Sequence, residues 1–224
     1  MRSEHELPGN PWPHDMMLRI DPTPFGLIEL LFARELWRFE IREVPPLDPV
    51  PSLGASSRLA SGPRLGSGEM ASLWRRDWAR AWEQFDPPNP EATGPDARTA
   101  RMLATLDDAQ LAQAVSGVPS EFWSRGIDRG ALGAWRQRLT ESDHHPTSLD
   151  ATPERRSLPA LIAAWQTGLT DIVQLPYAGF FAERINSRTL VVSATTRFEP
   201  ALFTRALATP LRGAGPGPGP DPDR

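Results

Sequence analysis

Residues 177–196, YAGFFAERINSRTLVVSATT, decide the fold class. Two runs rich in β-branched and aromatic residues, Tyr177 to Ile185 and Thr189 to Thr196, flank the short polar turn Asn186-Ser187, and that is the pattern of a β-hairpin. Phe180 stands beside Phe181 and Val191 beside Val192, so both faces of each run are apolar. A hairpin of this kind lies centrally in a sheet or is covered on two sides. Just upstream, Asp171 to Leu175 reads as a further strand. Just downstream, Pro200 opens a short helix through Leu207, its fixed φ suiting the first helical position.

Toward the N terminus, Met16 to Ile20 reads as a short strand, and Thr23 followed by Pro24 signals a helix through Ala33. Trp37 to Arg42 alternates apolar and charged residues, the period of a strand with one buried face, until Pro45 and Pro46 stop it. Between the two ends lies a helical region. In Gly68 to Phe85, Met70, Trp74, Trp78, Trp82 and Phe85 share a sector of about 120° while Arg76, Arg80 and Glu83 point away. Asp96 and Asp107 are helix caps, the second with Gln110 as a capping box and Gly117 as terminator. Asp128 caps a helix burying Leu132, Trp135 and Leu139, and Ser157 one burying Leu158, Leu161, Ile162 and Trp165.

The expected fold is therefore α+β: a small, mostly antiparallel sheet built from N-terminal strands and the C-terminal hairpin, with the helical middle region packed on one side. Residues 1–14 form a flexible proline-rich arm and 15–212 a single domain. Within that domain, 45–67 is a loop or linker, 68–168 the helical region and 170–208 the hairpin with its helix. Residues 213–224, GAGPGPGPDPDR, are expected to be a disordered tail.

Several chemistries are removed by inventory. The 224 residues contain no cysteine, which excludes disulfides, thiolate nucleophiles and sulfur-ligated metals. All 24 basic residues are arginine, which excludes a P-loop lysine, a kinase-type lysine and a Schiff base. Such a set fits a GC-rich bacterial genome. The net charge of −4 disfavours a general nucleic-acid binder. No apolar window is long enough to span a membrane, and the first residues lack the basic start of a signal peptide, so the expected location is the cytoplasm.

Two groups of residues are candidates for function. The strand end Ser193, Thr195, Thr196 and Arg197, leading into the helix at Pro200, combines hydroxyls, a guanidinium and a helix start as an anion cradle. Arg184 and Arg188 would extend it only if the hairpin brought them round, since the turn belongs at the opposite end of the strand. The second candidate is the stripe Trp74, Trp78 and Trp82 with Arg76 and Arg80, either a core face or an anchor for a protein partner. Asp77, at the edge of the apolar sector, is expected to pair with an arginine. Asp143, His144, His145 and Pro146 resemble the signature of the DHH phosphoesterases, which implies metal binding. That family places an apolar strand before the motif, whereas Arg138 to Ser142 here end a helix, and the segment reads as a solvated turn. His14 beside Asp15 has no further histidine set. Ser67, between Gly66 and Gly68, lacks the full nucleophile elbow and reads as a helix cap.

No metal and no cofactor is expected. The leading expectation is a non-enzymatic protein–protein interaction or assembly factor with an unidentified protein partner. The alternative is an enzyme or binding protein for a small phosphorylated or carboxylated ligand, with Asp171 or Glu183 as acid or base, and a weaker one is a single-stranded nucleic-acid binder.

Overall fold

The computed structural model describes residues 12–38, 40–52, 67–83, 85, 127–141 and 148–211. In chain order the elements are β1 (Arg19–Asp21), α1 (Phe25–Trp37), α2 (Ser67–Glu83), α3 (Arg129–Glu141), a 3-10 turn (Leu149–Ala151), α4 (Pro153–Arg156), α5 (Leu158–Gln166), β2 (Asp171–Leu175), β3 (Ala182–Arg184), β4 (Thr189–Ser193), α6 (Ala194–Phe198) and α7 (Pro200–Leu207). They gather into two compact units. One takes Met1–Ile20, Pro146–Val173 and Gly179–Arg224; the other takes Asp21–His145 and Gln174–Ala178. The chain thus combines helices with a four-stranded sheet.

The first unit holds the hairpin. β3 and β4 pair antiparallel with Ala182 opposite Val192, Glu183 opposite Val191 and Arg184 opposite Leu190. The order across the sheet is β1-β2-β4-β3, so β4 is an interior strand and all five of its residues are buried. That is what its two apolar faces require. The sheet, however, is mixed and not mostly antiparallel. Thr170 N and Asp171 N both donate to Arg188 O at 2.9 Å, so β2 and β4 start side by side and run the same way. The physical reason is the position of β3. Chain leaving β2 returns through β3 on the far side of β4, and that reversal leaves β4 parallel to β2. Arg19 N donates to Thr170 O at 2.8 Å, which places the start of β1 at the same end. Met16, Leu161, Leu169, Ile172, Leu190, Val192 and Phe203 are the center of this unit's core, joined at its margin by Trp12. Trp12 Nε1 donates to Met16 O at 3.2 Å and its ring lies 5.8 Å from the Arg155 guanidinium.

The second unit is helical, with α1 packed against α2 and α3. Phe32 and Trp135 meet at 5.9 Å between ring centroids, and both are fully buried. The alternating stretch 37–42 is not a strand. α1 runs on to Trp37 and ends at Arg38, whose left-handed φ of 53° lets its N–H reach Arg34 O and Glu35 O. Leu, Ala, Glu and Arg in FGLIELLFARELW all favour helix, and the expected strand lost its first residue to that helix. Arg34, 5% exposed, then sets the path that follows: Nη1 donates to Val44 O at 3.0 Å and Pro45 O at 2.9 Å, while Nη2 pairs with Glu35 at 2.9 Å. A guanidinium holding two carbonyls of the returning chain favours a loop over a ladder. Residues 45–52 cover this unit, with Trp135 Nε1 donating to Pro49 O at 3.0 Å and Leu47 bridging Tyr177. Asp128 caps α3 through Gly130 N at 2.8 Å, as its position before the helix dictates. The expected helices after Asp96 and Asp107, the Asp143–Pro146 segment and the C-terminal tail lie outside the described residues.

Candidate functional site

At the end of β4 the chain turns directly into a helix, and Ser193 is the residue that makes the turn. Its Oγ accepts from Thr196 N at 3.1 Å, closing the start of α6, and donates to Gly179 O at 2.6 Å. Thr196 Oγ1 lies 2.8 Å from Ser193 Oγ and accepts from Phe181 N at 2.8 Å. Both side chains are wholly buried. The two hydroxyls are thus engaged with each other and with the backbone of the segment that precedes β3. Arg197 Nε bonds Glu154 Oε1 at 2.9 Å, with side chains only 12% and 10% exposed. Of the four residues of the strand end, Thr195 alone is exposed. Sequence adjacency brings Ser193, Thr196 and Arg197 together as expected, and the partners that folding supplies are Gly179, Phe181 and Glu154.

The tryptophan stripe forms a ladder. Trp74 is completely buried and donates Nε1 to Leu30 O at 2.6 Å. Trp78 stacks on it at 4.9 Å, and Trp82 meets Trp78 edge-on at 5.6 Å. Burial declines along the helix, with Trp78 and Trp82 half-buried and Arg76 and Arg80 exposed. Asp77 is paired with Arg76 at 3.3 Å, the arginine partner its position implied. Among the described residues no three histidine or acidic side chains could jointly hold a metal ion. His14 and Asp15 stand 4.0 Å apart on the surface. Asp171 is held by Arg19 at 3.1 Å.

A different site lies at the other end of the hairpin. In β3, Ala182 packs against the core cluster and Arg184, two residues on, points to the same face by strand alternation. Arg184 is consequently 5% exposed. Its Nε donates to Asn186 O and its Nη2 to Ser187 O, so two turn carbonyls orient the guanidinium. Nη1 bonds none of the described residues, and no carboxylate among them pairs with Arg184. Burial holds this guanidinium below its ordinary pKa, yet arginine starts so high that it stays charged at any physiological pH.

Arg184 lines an open cleft of about 530 Å³ within the sheet unit, a surface cavity most of whose wall residues are exposed. The cavity is bounded by one side of α5, by the C-terminal half of α7 and by the chain after α7, where Leu211 bridges to Arg184 in parallel. Its wall from α5 is alanine, Ala160, Ala163 and Ala164, and these short side chains leave the space open. Thr167, Thr204 and Thr209 add hydroxyls. The sequence signal for this site is slight. Inward alternation with Ala182 marks Arg184 as facing the core, but nothing local shows that α5 and α7 would leave a void over it.

The chain matches no protein-family model, and comparison with curated proteins and with solved structures gives no match either. Among the described residues, no helix is long and apolar enough to cross a membrane.

Proposed function

We propose that this chain is a non-catalytic binding protein for a small anionic ligand, taken up in the cavity that Arg184 lines. One observation carries the reading: Arg184, a residue only 5% exposed, lines the cavity and has no carboxylate partner among the described residues. Buried charges are stabilised by pairing, because removing an ion from water is expensive unless an opposite charge or a full set of hydrogen bonds replaces the water. Two carbonyls supply part of that set, through Nε and Nη2. An anion would complete it. Thermal denaturation with a panel of monovalent organic anions tests the proposal: the melting midpoint should rise with ligand for the native chain and stay constant for Arg184→Gln. A rise that persists in the variant would remove Arg184 from the site.

A protein partner is the second reading, favoured by Trp82, which is half-buried between Trp78 and Phe85 on a helix that also carries the exposed Arg80. Trp74 takes no part in it, since it is wholly internal. Replacement of Trp82 by alanine should then abolish partner capture while leaving anion binding intact.

A further inference from the structure

We infer that the ligand of the Arg184 cavity is a monocarboxylate carrying a short apolar body, an inference that rests on Arg184 acting as the anion's counter-charge. Three features of the cavity converge on this class. First, among the described residues Arg184 is the one cationic side chain on the cavity wall. Second, the helix ends that reach the cavity are C-terminal ones. Thr167 is the C-cap of α5 and Ala208 that of α7, and both line it. A helix C-terminus carries roughly half a negative charge. Two such ends already offset most of the guanidinium's single charge, so a phosphate dianion would meet net repulsion, and a monoanion would be held by hydrogen bonds and apolar contact more than by net charge. Third, most of the remaining wall is apolar, with Ala160, Ala163, Leu207, Pro210 and Leu211 among its residues. An inorganic anion would leave that surface wet, whereas an aliphatic or aryl chain would cover it. The volume of about 530 Å³ falls within the range of small-molecule sites.

The carboxylate would take N–H donors from Nη1 and the unused hydrogen of Nη2, a planar fork matched to its two oxygens. Thr209, whose hydroxyl bonds no described residue, can donate to the same head group. The apolar body then lies along the α5 alanines.

Isothermal titration of the full chain with acetate, butanoate, hexanoate and octanoate, against hexan-1-ol and inorganic phosphate, tests the class. Affinity should rise about fourfold per methylene until the cavity is filled. Hexan-1-ol should bind at least tenfold more weakly than hexanoate, and phosphate should give no heat. Arg184→Gln should lose the preference for hexanoate over hexan-1-ol. Ala163→Trp, at an exposed position on the rim, should remove the dependence on chain length with an unchanged far-UV spectrum, and it serves as the test if the Arg184 variant fails to fold. Phosphate binding that depends on Arg184 and matches or exceeds hexanoate would overturn the carboxylate class and leave the anion site standing. Affinity independent of chain length would do the same. Absence of any anion binding would overturn both readings. A tenfold gain in D221N/D223N would name the chain's own acidic segment as the occupant and overturn the small-ligand inference.

Discussion

Replacing Arg197 by methionine should destabilise the sheet unit severely, while replacing Arg197 and Glu154 together should not. The two side chains are 12% and 10% exposed and their closest atoms are 2.9 Å apart, so each is the counter-ion of the other in a largely dry site. Arg197→Met alone leaves the Glu154 carboxylate buried without this charge partner, and Glu154→Met takes from the Arg197 guanidinium its 2.9 Å contact. Breaking a buried pair from one side costs about 3–5 kcal/mol, whereas replacing both partners by apolar groups of similar volume is near neutral. In a chain of 224 residues about 1 kcal/mol moves the midpoint by roughly 2–4 °C, so each single variant should melt about 6–20 °C lower. Arg197 also lies 5.0 Å from the Phe198 ring, a contact that methionine partly replaces, which favours the lower half of that range. Urea denaturation followed by circular dichroism gives the free energies, provided the slopes agree among the four proteins. Losses under about 1 kcal/mol for both single variants, or a double variant as unstable as the sum of the singles, would refute the argument that this pair is a buried structural contact.

Three further substitutions test the contacts described above. Ser193→Ala removes the acceptor for Thr196 N and the donor to Gly179 O, and should lower stability by about 1–2 kcal/mol, the range for loss of a helix cap, read by urea titration. Trp74→Phe keeps an aromatic ring but deletes the bond to Leu30 O, and should cost the helical unit about 1–3 kcal/mol in thermal unfolding; because Trp74 has no exposure, acrylamide should quench it last among the tryptophans of the ladder. Gly179→Ala meets no atom within 4 Å but places a Cβ at φ +69°, so a loss of about 1 kcal/mol from backbone strain alone is expected in the same measurement.

Local patterns were legible wherever one residue type governs one short element. Pro200 to Leu207, Asp171 to Leu175, the Asn186 turn and the Asp128 cap all take the form their own residues imply. Ser157 shows the limit of that reasoning. It precedes α5 as expected but caps nothing through its side chain, because it also ends α4 and its hydroxyl turns toward Pro200 O at 3.4 Å. The alternation of residues 37–42 misled for a similar reason: a two-residue period records only which side chains differ, and the helix entering from Phe25 had already set the backbone. For the candidate site, the hydroxyl and arginine residues at 193–197 were visible as a group, yet their bonding partners lie 14 to 43 residues away in sequence.

By itself the sequence determined many of the local elements and the excluded chemistries. Absent thiols and amines cannot be restored by any fold, and caps, prolines and apolar periods act within a few residues of themselves. Only the tertiary structure decided the mixed direction of the sheet and the surroundings of Arg184. Strand order depends on which side of β4 the returning chain takes, and a cavity depends on how closely two helices approach; both are set by contacts between residues distant along the chain.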